Sequence, residues 1–238
     1  MTVAVRVFAF SVLPLLLAAL YARLSPEVQG RLGKIEVYLI YMFFLGVGAS
    51  GLSGFFGHVF TPDVVAESID WAKGSPFQQE MGFANLAVGI LGFVSAGRRD
   101  GFREATVLAV AVLGVGTSVV HVIDIVESSN LAPGNSVQIV GNLLKPALLI
   151  PLLLMSRAAE VAGGGGPAFD QWRMSVIGTA GMATGVVGVG FGIGFALDMP
   201  VMVTSVAALL AALFTAWTTS GSFGARRNRP PGGRATSS

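Results

Sequence analysis

The chain has 238 residues, of which 53% are hydrophobic and 12% are charged, about half the charged fraction of an average soluble domain. It has no cysteine, which excludes disulfides, thiolate metal sites, iron–sulfur clusters and c-type haem attachment. The formal net charge of +2 comes from arginines dispersed between apolar runs, so no nucleic-acid-binding surface is expected. Several apolar runs reach the length of about 20 residues that crosses a bilayer. The sequence therefore predicts an all-α polytopic protein, integral to a membrane and most simply to a bacterial cytoplasmic membrane.

Hydropathy predicts a bundle of seven transmembrane spans. In chain order they are residues 3–22, 37–59, 78–96, 105–126, 136–155, 174–197 and 200–220. The predicted organisation is a first transmembrane helix within residues 1–22, a four-helix core at 37–155, a cytoplasmic linker at 156–173, a helical hairpin at 174–220 and a disordered basic tail at 221–238.

Basic residues are concentrated in every second connection between these spans. Positively charged residues favour the cytoplasmic side, so the pattern predicts an exoplasmic N-terminus and a cytoplasmic C-terminus. Arg6 is the exception, because it lies at the predicted outer end of the first span. The residues that set the orientation are Arg23, Arg31, Lys34, Arg98, Arg99, Arg103, Arg157, Arg173, Arg226, Arg227, Arg229 and Arg234.

The connection after the second span, TPDVVAESIDWAKG, predicts a short helix over residues 61–73. Its three acids, Asp63, Glu67 and Asp70, exclude deep insertion, whereas Trp71 suits the headgroup level. We therefore expect this helix to lie on the outer membrane surface.

The next segment, GSPFQQEMGFANL, combines a helix start with polar residues inside an apolar span. Ser75 is a candidate N-cap, and Gln78 three residues later predicts a capping box. Asn135 and Gln138 predict a second capping box at the start of the fifth span.

Polar residues inside the spans fall toward the predicted outer ends of spans two to five. Thr117, His121, Asp124 and Ser128 share one helical face, and Asn135, Gln138, Asn142 and Lys145 share another. Such faces point into a bundle because polar groups facing lipid are costly. The sequence therefore predicts a polar pocket near the exoplasmic face. The candidate cofactor-binding residues are Asn85, Gln138, Asn142 and Lys145.

The pair His121 and Asp124 is the sharpest chemical signal, because an imidazole and a carboxylate three residues apart can share one metal ion or proton. His58 and Glu80 could complete a two-histidine, two-carboxylate set for a first-row transition metal. His121, Asp124 and Glu80 are the candidate catalytic residues. Haem ligated by both histidines is an alternative. A retinal Schiff base is disfavoured because the seventh span has no lysine.

Residues 75–86 match the approximate signature S-P-F-Q-x-E-x-x-x-A-N-L. In this signature the chain resembles an uncharacterised family of small polytopic membrane proteins from bacteria and fungi, and the resemblance extends over about residues 37–155. It implies a fold and no activity, with spans one, six and seven as additions to the core. The matching residues are Ser75, Pro76, Phe77, Gln78, Glu80, Ala84, Asn85 and Leu86.

Three functions are compatible with these patterns. The first is a membrane-embedded site that binds a metal or a lipophilic redox or lipid substrate. The second is a non-catalytic accessory subunit of a larger membrane complex, in which the polar faces only hold helices together. The third is a seven-helix cyclase of prenyl chains, with Asp124 or Glu80 as the proton donor. The expected partners are membrane lipids and, for the second function, other subunits.

Overall fold

The computed structural model describes residues 2–25, 28 and 30–162, and within these residues it contains six helices and no strand. Five of these helices are long and apolar enough to cross a membrane, which supports the prediction of a helical integral membrane protein. The predicted spans 174–197 and 200–220, the tail 221–238 and most of the linker lie outside the described residues. The helices are α1 Val3–Leu24, α2 Gly30–Phe60, α3 Pro62–Ser68, α4 Phe77–Gly97, α5 Gly101–Ser128 and α6 Pro133–Val161.

The first two helices contain π-helical stretches, at Phe8–Val12 in α1 and Met42–Ala49 in α2. Pro14 has no N–H to donate to the carbonyl four residues back, which favours a local change of helical pitch in α1. The two stretches pack on each other, and a Cβ at Gly46 would lie 3.2 Å from the carbonyl oxygen of Phe10. The first helix is thus an integral part of the bundle.

Helices α2 and α4 cross at a contact made of glycines. A Cβ on Gly51 would lie 2.5 Å from the carbonyl oxygen of Asn85 and 2.6 Å from the Cα of Gly89. A Cβ on Gly92 would lie 2.6 Å from the backbone nitrogen of Gly48. Small residues allow this backbone-to-backbone approach, and packing of this kind drives helix association where lipid removes the hydrophobic effect.

A buried ion pair joins the helices at the end of the bundle that carries most of the arginines, called here the arginine end. The guanidinium of Arg103 donates to the carboxylate of Glu36 at 2.7 and 3.1 Å, and neither side chain is more than 1% exposed. Arg103 also donates to the carbonyl oxygen of Ser95, and Ser156 donates to Glu36. The network connects α2, α4, α5 and α6, and sequence patterns did not predict it.

The segment after α2 forms a shorter helix than predicted. Helix α3 ends at Ser68, and Asp70 has a φ of 54°, the left-handed conformation that ends helices. The backbone N–H of Trp71 then donates to the carbonyl oxygen of Ala66. This turn directs the indole of Trp71 toward the bundle rather than along a surface helix.

Neither predicted capping box is formed. At the start of α4 the Ser75 hydroxyl accepts from the backbone N–H of Phe77 at 3.3 Å, as predicted for a cap, but Gln78 bonds to His58 instead of completing the box. Helix α6 begins at Pro133, two residues before the predicted cap Asn135. In both places the amide side chain makes an interhelical hydrogen bond, which is valuable where water is excluded.

Candidate functional site

A cavity of about 200 Å³ lies between the helices at the end opposite the arginine end, called here the cavity end. All six helices contribute to its lining, because each presents a polar or small side chain there. Six of the eight predicted site residues line this one cavity. They are His58, Asn85, His121, Gln138, Asn142 and Lys145.

Glu80 is exposed and lies outside the cavity lining. The reason is helical geometry. Gln78 is buried and faces the cavity, and Glu80 lies two residues further on, about 200° around the helix axis. Asn85, seven residues after Gln78, returns to the cavity face.

His58 and Gln78 join the ends of α2 and α4. The Nδ1 atom of His58 is 2.6 Å from the Oε1 atom of Gln78. With the proton on Nδ1, the imidazole donates to this amide oxygen and its other nitrogen carries a lone pair. The contact therefore fixes the orientation of the ring at the cavity wall.

His121 is buried and is held in the same way by α6. Its Nδ1 atom is 2.6 Å from the Oδ1 atom of Asn135, whose own amide nitrogen donates to the carbonyl oxygen of Asn130. The ring of Trp71 lies against the imidazole, with 5.6 Å between ring centroids. Two histidines on different helices thus border one cavity, each oriented by an amide side chain.

Asp124 is directed away from the cavity. The indole N–H of Trp71 donates to its Oδ2 atom at 2.9 Å, and Asn130 donates to the same atom at 2.7 Å. It lines a separate, outward-facing hollow together with Glu67 and Asp70. Three residues of spacing place Asp124 near the face of His121, and Trp71 contacts both side chains, with its N–H on Asp124 and its ring against the imidazole.

Three neutral polar residues on the cavity wall are satisfied by one another or by their own helices. Asn142 donates to the Thr117 hydroxyl at 3.0 Å and accepts from Gln138 at 2.9 Å. The Thr117 hydroxyl donates to the carbonyl oxygen of Leu113. These residues hold α5 against α6.

Two cations also line the cavity. The ammonium of Lys145 donates to the Ser50 hydroxyl at 2.6 Å. Arg6 lines the same cavity, close enough to His58 and Lys145 for their charges to interact, and its guanidinium has no hydrogen-bond or ion-pair partner within the described chain. Arg6 is the functional candidate that motif reasoning missed. The signal was its conflict with the positive-inside pattern, because a cation at the predicted outer end of a span needs another reason to be there.

The fixed charges that line the cavity are positive, since no Asp or Glu is found among the described residues that line it. Over the described part of the chain, no three His, Asp or Glu side chains converge in a way that could hold a metal ion. The predicted metal set is therefore divided. His58 and His121 share the cavity, whereas Asp124 and Glu80 lie outside it.

Residues 5–162 match the model of a family described as "Family of unknown function (DUF6790)". The chain belongs to this family. The DUF6790 match agrees with the predicted resemblance to an uncharacterised family, and it covers most of α1 in addition to residues 37–155. No curated protein and no solved structure matches the chain. Membership of DUF6790 assigns no activity to the chain.

Proposed function

We propose that this membrane protein binds the anionic head of a membrane amphiphile in the cavity at the cavity end. The observation that carries the proposal is the presence of two cations, Arg6 and Lys145, in a cavity without an acidic lining residue in the described chain. Ionisable residues inside membrane bundles generally pair with an opposite charge or mark a ligand pathway. Neither cation has an acidic partner among the described residues that line the cavity, and an anionic ligand would supply the missing negative charge.

The charges of Arg6 and Lys145 are energetically costly without a compensating anion. A lysine or arginine at the centre of a membrane helix costs about 2.5–3.5 kcal/mol on insertion scales, and less near the surface. The hydrogen bond from Lys145 to Ser50 provides one neutral acceptor for an ammonium that has three donors. An anion that accepts from both cations would stabilise the folded bundle by mass action.

The size of the cavity favours a head group over a whole molecule. Its volume of about 200 Å³ is below the roughly 300–1,000 Å³ of sites that enclose drug-sized ligands. Two lining residues at its edge are half exposed, Phe77 at 48% on α4 and Val120 at 50% on α5. Helices α4 and α5 pack mainly on other helices, so an apolar tail could leave between them.

The same proposal includes the orientation of the bundle. Basic residues collect at the arginine end, which supports a cytoplasmic location for that end and an exoplasmic leaflet for the cavity. Tags placed before α1 and after α6 should be accessible from outside and inside the cell, respectively. Accessibility of both tags from the same side would contradict this orientation.

Binding can be tested with protein purified in nonionic detergent and titrated with anionic and zwitterionic amphiphiles, with complexes counted by native mass spectrometry. We expect anionic amphiphiles to bind, and Arg6→Gln or Lys145→Gln to weaken their binding at least tenfold. Arg23→Gln is the matched control, because Arg23 is an exposed arginine on the same helix as Arg6.

Two results would contradict the proposal. One is the absence of any preference for anionic over zwitterionic amphiphiles. The other is unchanged binding in both cavity variants, accompanied only by a change of thermal stability. That second pattern would indicate a structural role for the polar residues, as in an accessory subunit.

A further inference from the structure

We infer that the anionic head is a dianionic phosphate monoester, as in a lipid phosphate, rather than a carboxylate or a phosphodiester. This inference rests on the proposed function, that the cavity binds the anionic head of an amphiphile. It adds the chemical class of the ligand.

The charge of the cavity distinguishes between the possible head groups. Arg6 and Lys145 provide two positive charges at the cavity wall, and the two predicted site acids, Asp124 and Glu80, are not among the lining residues. A carboxylate or a phosphodiester carries one negative charge and would leave one cation uncompensated. A phosphate monoester carries about −1.5 to −2 at neutral pH. Only the monoester brings the described cavity close to neutrality.

The supply of hydrogen-bond donors favours the same head group. The neutral polar groups Asn142, Gln138 and Thr117 already bond to one another or to their own helix. The free capacity therefore belongs to the cations, because Arg6 has five N–H donors without a described partner and Lys145 bonds only to Ser50. A phosphate monoester has three terminal oxygens that accept charge-assisted hydrogen bonds, and guanidinium groups bind such oxygens in pairs.

The directions from which the two cations reach the cavity match a tetrahedral head group. Arg6 approaches from α1 and Lys145 from α6, so the cations reach the cavity from two helices rather than from one face. A tetrahedral head can accept from both directions at once, whereas a planar carboxylate presents two oxygens in one plane. The geometry thus agrees with the charge count.

The test compares ligands that differ in one property. Hexadecyl phosphate and hexadecyl sulfate have the same chain and a tetrahedral head, but the sulfate carries only one negative charge. Palmitate provides a carboxylate, phosphatidylmethanol provides a phosphodiester, and inorganic phosphate alone tests whether the alkyl chain is needed. Dissociation constants are measured for the full chain in nonionic detergent at pH 7, where the phosphate monoester carries about −1.5 to −2.

We expect hexadecyl phosphate to bind at least tenfold more tightly than hexadecyl sulfate, palmitate or phosphatidylmethanol. Lys145→Gln should reduce the phosphate-to-sulfate preference to about one, because a single cation no longer favours the second charge. Arg23→Gln should leave the preference unchanged. This loss of discrimination separates ligand binding from a folding role, since a structural defect would weaken both ligands alike.

The other outcomes distinguish failure of the dianion inference from failure of the proposed function. Equal affinity for phosphate and sulfate would overturn the dianion inference and leave the proposed function in place. The absence of binding by all four amphiphiles would overturn both. Inorganic phosphate binding as tightly as hexadecyl phosphate would support the phosphate class and overturn the amphiphile as its source.

Discussion

Replacing Arg103 by leucine should strongly destabilise the bundle, because it removes the guanidinium that donates two hydrogen bonds to the buried carboxylate of Glu36. Glu36 is 0% exposed, and its carboxylate accepts two hydrogen bonds from Arg103 and one from Ser156. Removing one partner of a buried ion pair costs about 3–5 kcal/mol in soluble proteins. Loss of the hydrogen bond to the carbonyl oxygen of Ser95 acts in the same direction.

The magnitude can be expressed as a shift of the unfolding temperature. A domain of this size loses about 2–4 °C for each kcal/mol, so Arg103→Leu should lower the midpoint by about 6–20 °C. The double variant Glu36→Leu/Arg103→Leu has no unpaired charge and should be more stable than either single variant. Arg98→Leu is the control, because the ion pair of Arg98 with Asp100 is half exposed and should leave the midpoint nearly unchanged.

The assay is thermal unfolding in nanodiscs, followed by circular dichroism at 222 nm for the wild type, both single variants, the double variant and the control. A positive coupling between Glu36 and Arg103 is the decisive result. If the two single effects simply add in the double variant, the pair contributes no specific stabilisation and the reasoning is wrong.

Two further predictions concern packing and pH. Gly51→Ala should destabilise the bundle by about 1–3 kcal/mol, because its Cβ would lie 2.5 Å from the carbonyl oxygen of Asn85. Gly116→Ala is the control, because a Cβ there meets nothing within 4 Å, and it should be neutral or slightly stabilising in the same unfolding assay. The Arg98 guanidinium lowers the pKa of Asp100, outside the spans, from 3.8 to about 2, so the pair stabilises the fold above about pH 4 and this contribution is lost as the pH falls toward 2. Arg98→Gln should return that pKa toward 3.8 in a carboxyl-carbon NMR titration, and an unchanged value would contradict the assignment of the shift to Arg98.

Helical periodicity accounts for most of what could be predicted from the sequence. Apolar length identified the five long helices of the described chain, and the three- and four-residue spacings placed His121 and Asn142 toward one interior space. The same periodicity places Glu80 and Gln78 on opposite sides of their helix, because a spacing of two residues is a rotation of about 200°. The predicted inclusion of Glu80 came from its proximity in sequence rather than from its position on the helix face.

The features that were missed depend on contacts between residues distant in sequence. Glu36 immediately precedes a predicted span and Arg103 precedes another, so each resembles an ordinary loop charge. Their pairing appears only when α2 and α5 are brought together, 67 residues apart in the chain. The surroundings of Asp124 were missed for a similar reason, since its hydrogen bond from the indole of Trp71 joins residues 53 apart in the chain.

Buried cations have a carboxylate partner at the arginine end and no described acidic partner at the cavity end. This difference favours a ligand over a purely structural role at the cavity end. At the arginine end the buried guanidinium of Arg103 is matched by the carboxylate of Glu36, so helix association there includes its own counter-charge. At the cavity end Arg6 and Lys145 have no described acidic partner, although the neutral groups around them are bonded. A bundle that needed these cations only to join its helices could use matched pairs, as its other end does. Because unmatched cations in a membrane lower stability, their presence is best explained by a negative charge that the cavity receives from a bound molecule.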